Sequence, residues 1–260
     1  MDVLFVFVFG AIIGSFVGAL TWRWPEEKSI FDGRSICPHC KHQIRWYDNI
    51  PIFSYFILQG KCRDCKKKIS KRYVSIEMLT AVSFVFFYQF FPQVSMNLIW
   101  LNKLPYLLGL SVFLSILSIL IAVFIIDLEH QYIPDTLVFI LSLLVFIVLM
   151  LSSNAGLFLY LTAGLGSAVF LLFIHLSTLG RGMGLGDVKL ALAMGLVLGY
   201  PLAVVWMFSS FVLGSIIGII LIVLKAAKFK QRIAFGPFLV LGFLLAILRG
   251  TDILESLALL

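Results

Sequence analysis

The sequence predicts an all-α polytopic membrane protein: about eight transmembrane helices, with one small polar module between the first and the second. Three observations carry this. Of 260 residues, 61% are hydrophobic and 13% charged, and the mean hydropathy is +1.07. Soluble domains run near ~45–50% apolar and ~25% charged, so most of this chain needs the bilayer as its solvent. The charges are also clustered. They leave uncharged runs from Val3 to Trp22, Met78 to Asn102, Leu104 to Ile126, Thr136 to Gly180, Leu190 to Leu224 and Ile233 to Leu248. Finally, 18 of the 20 Lys and Arg residues fall on one side of an alternating topology.

An apolar helix of about 20 residues spans a bilayer. The Thr136–Gly180 run holds two such helices, broken at Ser152-Ser153-Asn154-Ala155-Gly156, and the Leu190–Leu224 run breaks at Gly199-Tyr200-Pro201. The expected spans are 3–21, 76–91, 105–127, 134–151, 156–178, 187–199, 202–224 and 233–248. The first is not a cleavable signal peptide, because it opens Met1-Asp2 and its first basic residue is Arg23. Charge order then puts the N-terminus outside and Arg23 inside. Alternation puts 22–75, 128–133, 179–186 and 225–232 inside as well, leaving only Lys103 and Arg249 outside. The net charge of +7 is therefore a topology signal beside anionic lipid, not a nucleic-acid footprint.

Residues 23–75 form the only sizeable polar stretch, too small and charged for a large core. It contains all four cysteines, in Cys37-Pro38-His39-Cys40 and Cys62-Arg63-Asp64-Cys65. Two C-x2-C pairs at this separation approach zinc-ribbon spacing: each knuckle offers two thiolates, and four soft ligands with no open position suit structural Zn²⁺. Two disulfides are the other arrangement, which a reducing cytoplasmic side disfavours. His39 and His42 are expected to be solvated, because the thiolates complete the set. The run Lys66-Lys67-Lys68 with Lys71-Arg72 reads as a solvated positive flank; a lipid-facing or substrate-guiding patch is the sharper alternative.

Carboxylates next to apolar runs are costly and mark function. Asp127 ends the third run and Asp187 opens the sixth span, both on the inner side. Ala191, Gly195 and Gly199 follow Asp187 at steps of four, so its helix face is small enough for a neighbour to pack closely. The ladders at Gly10, Gly14 and Gly18 and at Gly214 and Gly218 read as packing. Two carboxylates held together cannot both ionise cheaply. The ionised one can take a proton from a water attacking a carbonyl, while the protonated one polarises the carbonyl oxygen. Among the other acids, Asp135 reads as a helix-start residue and Glu129 as solvated. Glu77 divides evenly between an interfacial charge and a substrate contact. His175 reads as a packed or snorkelling histidine.

In this order the motifs resemble the type IV prepilin peptidase family over nearly the whole chain. The resemblance rests on Gly14-Ser15-Phe16 through Arg23-Trp24-Pro25, the two cysteine pairs, and Asp127 with Ile133-Pro134-Asp135. It rests equally on Gly184-Leu185-Gly186-Asp187-Val188-Lys189 and Phe235-Gly236-Pro237-Phe238. The resemblance implies a GxGD-type intramembrane aspartyl protease of the bacterial plasma membrane, with Asp127 and Asp187 catalytic. Such an enzyme cuts the basic leader of prepilins or pseudopilins after glycine at the cytoplasmic face. It then methylates the new N-terminus with S-adenosylmethionine; Gly60-Lys61 matches the pair that the family associates with methyl transfer. Gly18-Ala19 stand where Asn-Val is usual. The implied organisation is a first helix (1–22), a zinc module (23–75) and a peptidase domain (76–260). A proton- or cation-coupled transporter with a zinc module is the competing reading. Which pilin, competence or secretion system is served is not legible.

Overall fold

The protein is described by a computed structural model covering residues 2–24, 35–152, 156–226 and 233–256. Pro25, Lys28, Arg34, the 153–155 part of the expected break, Lys228, Lys230 and Arg232 lie outside the described residues. The helices are α1 (Val3–Arg23), α2 (Phe53–Ile57), α3 (Lys71–Gln89), α4 (Phe91–Asn97), α5 (Ile99–Asn102), α6 (Tyr106–His130) and α7 (Asp135–Leu151). They continue with α8 (Leu157–Ser177), α9 (Leu185–Leu198), α10 (Leu202–Val223) and α11 (Gly236–Ser256). A 3₁₀ turn covers Trp46–Asn49.

Each of the eight expected spans coincides with a helix, but eight full crossings are not confirmed. Among the described residues, five helices (α1, α6, α8, α10 and α11) are long and apolar enough to cross a membrane, or six when α3 is counted with α4. The shortfall lies in α7, with 17 residues, and α9, with 14. At ~1.5 Å per residue, α9 rises only ~21 Å against a hydrocarbon layer of ~30 Å.

The chain divides into two compact units, Met1–Phe90 and Phe91–Leu260. In the first, α1 and α3 meet backbone to backbone. A Cβ on Gly10 would lie 2.9 Å from Ala81 Cα, and one on Gly14 would lie 2.8 Å from Glu77 Cα. These glycines are a contact seam of the small-residue kind. The Arg72 guanidinium closes its end, donating to Thr21 Oγ1 at 2.8 Å and to the Gly18 carbonyl at 3.3 Å.

In the second unit, α9 is sheathed by α7 and α8, and α11 packs on α10 and α6. The α8–α9 contact is set by glycine on both sides: a Cβ on Gly195 would lie 2.7 Å from Gly164 Cα. Overpacking at such a point costs about 1–3 kcal/mol. The face running from Asp187 through Ala191, Gly195 and Gly199 therefore rests partly on α8, and Gly199 abuts the Tyr160 ring. Gly214 lies against Phe235 and Phe238, whereas nothing among the described residues comes within 4 Å of a Cβ on Gly218, so that pair is not one packing seam. Indole N–H groups tie element ends together. Trp100 donates to the Val197 carbonyl and Trp206 to the Leu239 carbonyl, each at 2.8 Å. Gln93 and Asn97 of α4 hold the Leu248 and Ile247 carbonyls of α11.

Candidate functional site

The second unit holds the two acids that the sequence singles out. Asp127 lies in the last turn of α6, which stops when Gln131 enters the left-handed region (φ 53°) and donates its N–H to the Asp127 carbonyl at 2.8 Å. Its side chain is buried, with the residue 4% exposed. Oδ2 accepts the backbone N–H of Gly236, the first residue of α11, at 2.9 Å. Only glycine fits there, because a Cβ would stand 2.5 Å from that oxygen.

Asp187 is the third residue of α9 and is 7% exposed. Its Oδ2 accepts the N–H of the N-cap residue Gly184 at 3.0 Å, the carboxylate half of a capping box. The partial positive charge of the helix start also favours a carboxylate there. Ile133 fills the space between the two motifs. Its side chain would be 3.0 Å from a Cβ on Gly186 and 3.3 Å from one on Gly236. Because Ile133 touches the glycines of both motifs, and Gly236 holds Asp127, the fold brings the two acids into one neighbourhood although they are 60 positions apart.

His175 has a more specific place than packing. Its Nδ1 lies 2.7 Å from the Met183 carbonyl. A carbonyl can only accept, so Nδ1 is the donor. The Met183 carbonyl and the Gly184 N–H belong to the same peptide group, which therefore links the imidazole to Asp187. Gly180, at φ +72°, turns the loop beneath the ring. No periodicity or spacing in the sequence marks this contact. Asp135 sits in the first turn of α7, as a helix-start acid should, but its carboxylate also takes Lys189 Nζ at 2.7 and 2.8 Å.

In the first unit, the four cysteine sulfurs all lie within 4.8 Å of one another. Cys37 Sγ and Cys65 Sγ are 3.8 Å apart. A tetrahedral ZnS₄ centre with Zn–S near ~2.3 Å has sulfur–sulfur edges of ~3.8 Å, whereas a disulfide requires ~2.05 Å. The donor set thus fits zinc, and all four cysteines are free thiols. His39 and His42 are exposed and stand outside the cluster.

The two knuckles are copies displaced by 25 positions. Cys37 and Cys62 donate to the His42 and Lys67 carbonyls, both at 2.9 Å; Lys41 and Lys66 donate back to the cysteine carbonyls and adopt φ 59° and 57°. Bridges pair Ile36 with Gln43 and Lys61 with Lys68. Within this thiol cluster the backbone N–H of Cys40 brings the Cys37 thiol down to about 7, while burial and the neighbouring thiols push Cys40 up to about 11, so Cys37 is the first to lose its proton.

Gly60 and Lys61 lead into the second knuckle. Gly60 has φ +65°, and a Cβ there would meet the Tyr55 hydroxyl at 2.9 Å. Lys61 lines a depression of about 380 Å³ with Ile57, Leu58, Gln59, Arg63 and Lys66. Beside it, Arg63 grips Asp48 through both carboxylate oxygens at 2.6–3.0 Å and holds that carboxyl below the usual range.

Together these features define a class: a polytopic membrane protein with a pair of buried aspartates and a four-thiol module that fits zinc. Residues 8–91 match the bacterial Peptidase A24 N-terminal domain, and residues 114–219 match the type IV leader peptidase family. The chain is 31% identical to a prepilin leader peptidase/N-methyltransferase of Pseudomonas aeruginosa, across 98% of this chain and 92% of that protein. It is 30% identical to the same-named protein of Stutzerimonas stutzeri, covering 98% and 93%. It is 32% identical to that of Aeromonas hydrophila, covering 95% and 91%. The chain belongs to the type IV leader peptidase family. No solved structure matches it.

Proposed function

We propose that this chain is a prepilin leader peptidase of the bacterial inner membrane in which Asp127 and Asp187 form the proteolytic pair. The observation that carries the reading is the matched anchoring of the two acids. Each is buried and holds a glycine N–H through Oδ2, and each lies in a motif where the family resemblance expects a catalytic aspartate. Their second oxygens are left for water and substrate.

In the proposed reaction, one carboxylate is ionised and the other protonated. The ionised acid takes a proton from water as the water oxygen bonds to the scissile carbonyl carbon. The protonated acid donates to the carbonyl oxygen, and collapse of the tetrahedral adduct breaks the C–N bond and returns a proton to the leaving amine. The glycine N–H groups orient both acids before substrate arrives. The substrate is a prepilin or pseudopilin whose basic leader stays on the cytoplasmic face while its apolar stem lies in the bilayer. This agrees with the charge-based orientation, N-terminus outside, and with eight membrane segments of which α7 and α9 are short.

Cys37, Cys40, Cys62 and Cys65 would hold one structural zinc, which cross-links the two knuckles. Methylation of the new N-terminus from S-adenosylmethionine follows the curated relatives' names, with Gly60 and Lys61 assigned to it by the family resemblance.

The test is to incubate the purified protein in lipid with a prepilin peptide, with and without S-adenosylmethionine, and to weigh the products. Leader loss without the methyl donor, and a further ~14 Da with it, is the expected result; an intact peptide under both conditions contradicts the proposal.

A further inference from the structure

The segment from Trp46 to Ile57 belongs to the polar module by sequence, yet its side chains suit a different surrounding. Trp46, Phe53, Phe56 and Ile57 are 81, 67, 64 and 72% exposed, and Ile50 is exposed as well. Of its apolar side chains, Ile52 turns inward, beside the buried Ser54. It packs with Ala11 of α1, Ala81 of α3 and, at the edge, Phe7. Those partners are not at the helix ends. Ala81 is ten residues beyond the start of α3, and Ala11 is twelve before the end of α1. At ~1.5 Å per residue, and counted from the inner ends of the expected spans 3–21 and 76–91, these are depths of ~15 Å for Ala11 and ~8 Å for Ala81 in a hydrocarbon layer of ~30 Å.

Irregular backbone survives at such a depth only if its polar groups are satisfied. Here they are met locally. Pro51 has no N–H. Phe53 donates to the Pro51 carbonyl across a strained γ-turn with Ile52 at φ 64°, ψ −56°. Ser54 donates to Ile50, Phe56 to Ile52 and Leu58 to Ser54. The Ile52 N–H, turned outward by that geometry, is received by Glu77 Oε2 at 2.7 Å. Glu77 thus has a backbone partner that the sequence did not show.

We infer that residues 50–57 form a re-entrant segment immersed in the bilayer leaflet on the module's side, anchored by Glu77, with lipid acyl chains as its partner. Continuity argues for lipid as the occupant. The exposed faces of α1 (Phe5, Phe9, Phe16) and α3 (Val82, Phe86) need the same cover. The flanks suit a headgroup boundary: Trp46 and Tyr47 lie at one end beside Arg45, and Lys66-Lys67-Lys68 follow the second knuckle. The inference concerns the first unit and does not depend on which residues cut the peptide.

The test uses the full chain in nanodiscs of phosphatidylethanolamine and phosphatidylglycerol, with p-benzoylphenylalanine placed singly at Phe56, at Phe9 as the membrane reference and at His39 as the aqueous reference. After irradiation, intact mass should show a phospholipid adduct at positions 9 and 56 and none at 39. An adduct at 9 without one at 56, or capture of an added prepilin peptide by position 56, overturns the proposal. Adding Glu77→Leu should reduce the adduct at 56 several-fold and leave that at 9 unchanged, whereas Glu77→Gln, whose amide oxygen still accepts, should retain it. Equal yields in Glu77→Leu and the parent remove Glu77 as the anchor.

Discussion

Gly236 donates its backbone N–H to Asp127 Oδ2 across 109 positions of sequence, at 2.9 Å. The last motif of the chain thus acts as a backbone ligand for the first acid. Gly236→Ala puts a methyl carbon 2.5 Å from that oxygen, so the carboxylate must shift. The expected outcome is a 10- to 100-fold fall in leader cleavage, in keeping with the loss when a reacting group is displaced by about 1 Å. Methyl transfer to an already-cut pilin peptide should persist, because Gly60 and Lys61 lie in the other unit. Separate assays of the two steps in lipid check this.

His175 reaches Asp187 through one peptide group, so its donor should matter more than its bulk. His175→Asn keeps an N–H near the position of Nδ1 and is expected to retain cleavage within a few-fold. His175→Phe removes it and should lower kcat about 10-fold or more with little change in KM, the pattern of a group that acts through Asp187. Equal kcat in the two variants removes the histidine from the site. Because the prediction presumes a catalytic Asp187, it is read beside Asp187→Asn.

One zinc per chain is expected, bound by four thiolates. Cys62→Ser should lower the metal content of purified protein well below stoichiometric and destabilise the first unit, since a lost structural ligand removes a cross-link. Elemental analysis with melting in detergent measures both. Stoichiometric zinc in the variant contradicts the assignment.

Arg63 holds the Asp48 carboxyl below its ordinary value. A depressed folded-state pKa contributes stability that is present above the unfolded value, near ~3.9, and is lost as pH falls through the folded one. The penalty of Asp48→Asn should therefore be constant between about pH 8 and 5. A penalty that fades within that window contradicts the pairing; melting curves across it decide.

Much of this was legible in the chain. Hydropathy placed a helix at each of eight positions, because lipid-facing apolar length is a local property. The cysteine pairs and the acids announced themselves by spacing and cost. What stayed hidden depends on distant backbone. Gly236 to Asp127, His175 to Met183 and Ile52 to Glu77 each join a side chain to a main-chain group, and main-chain groups carry no letter in the sequence. The Lys189–Asp135 pair needs two helices to meet first. The sixth helix, α9, stops at Leu198, at the break that Gly199-Tyr200-Pro201 marks in the sequence; what falls short is its length, 14 residues against the ~20 of a full crossing.

The most direct measurement is leader cleavage by Asp127→Asn and Asp187→Asn in membranes holding equal amounts of folded protein. Each change keeps the shape and removes the ionisable group. General acid–base steps are worth ~10²–10⁴-fold, so cleavage by either variant should fall at least ~100-fold while the protein melts as the parent does. Leader removal at the parental rate by either one contradicts the assignment of this pair.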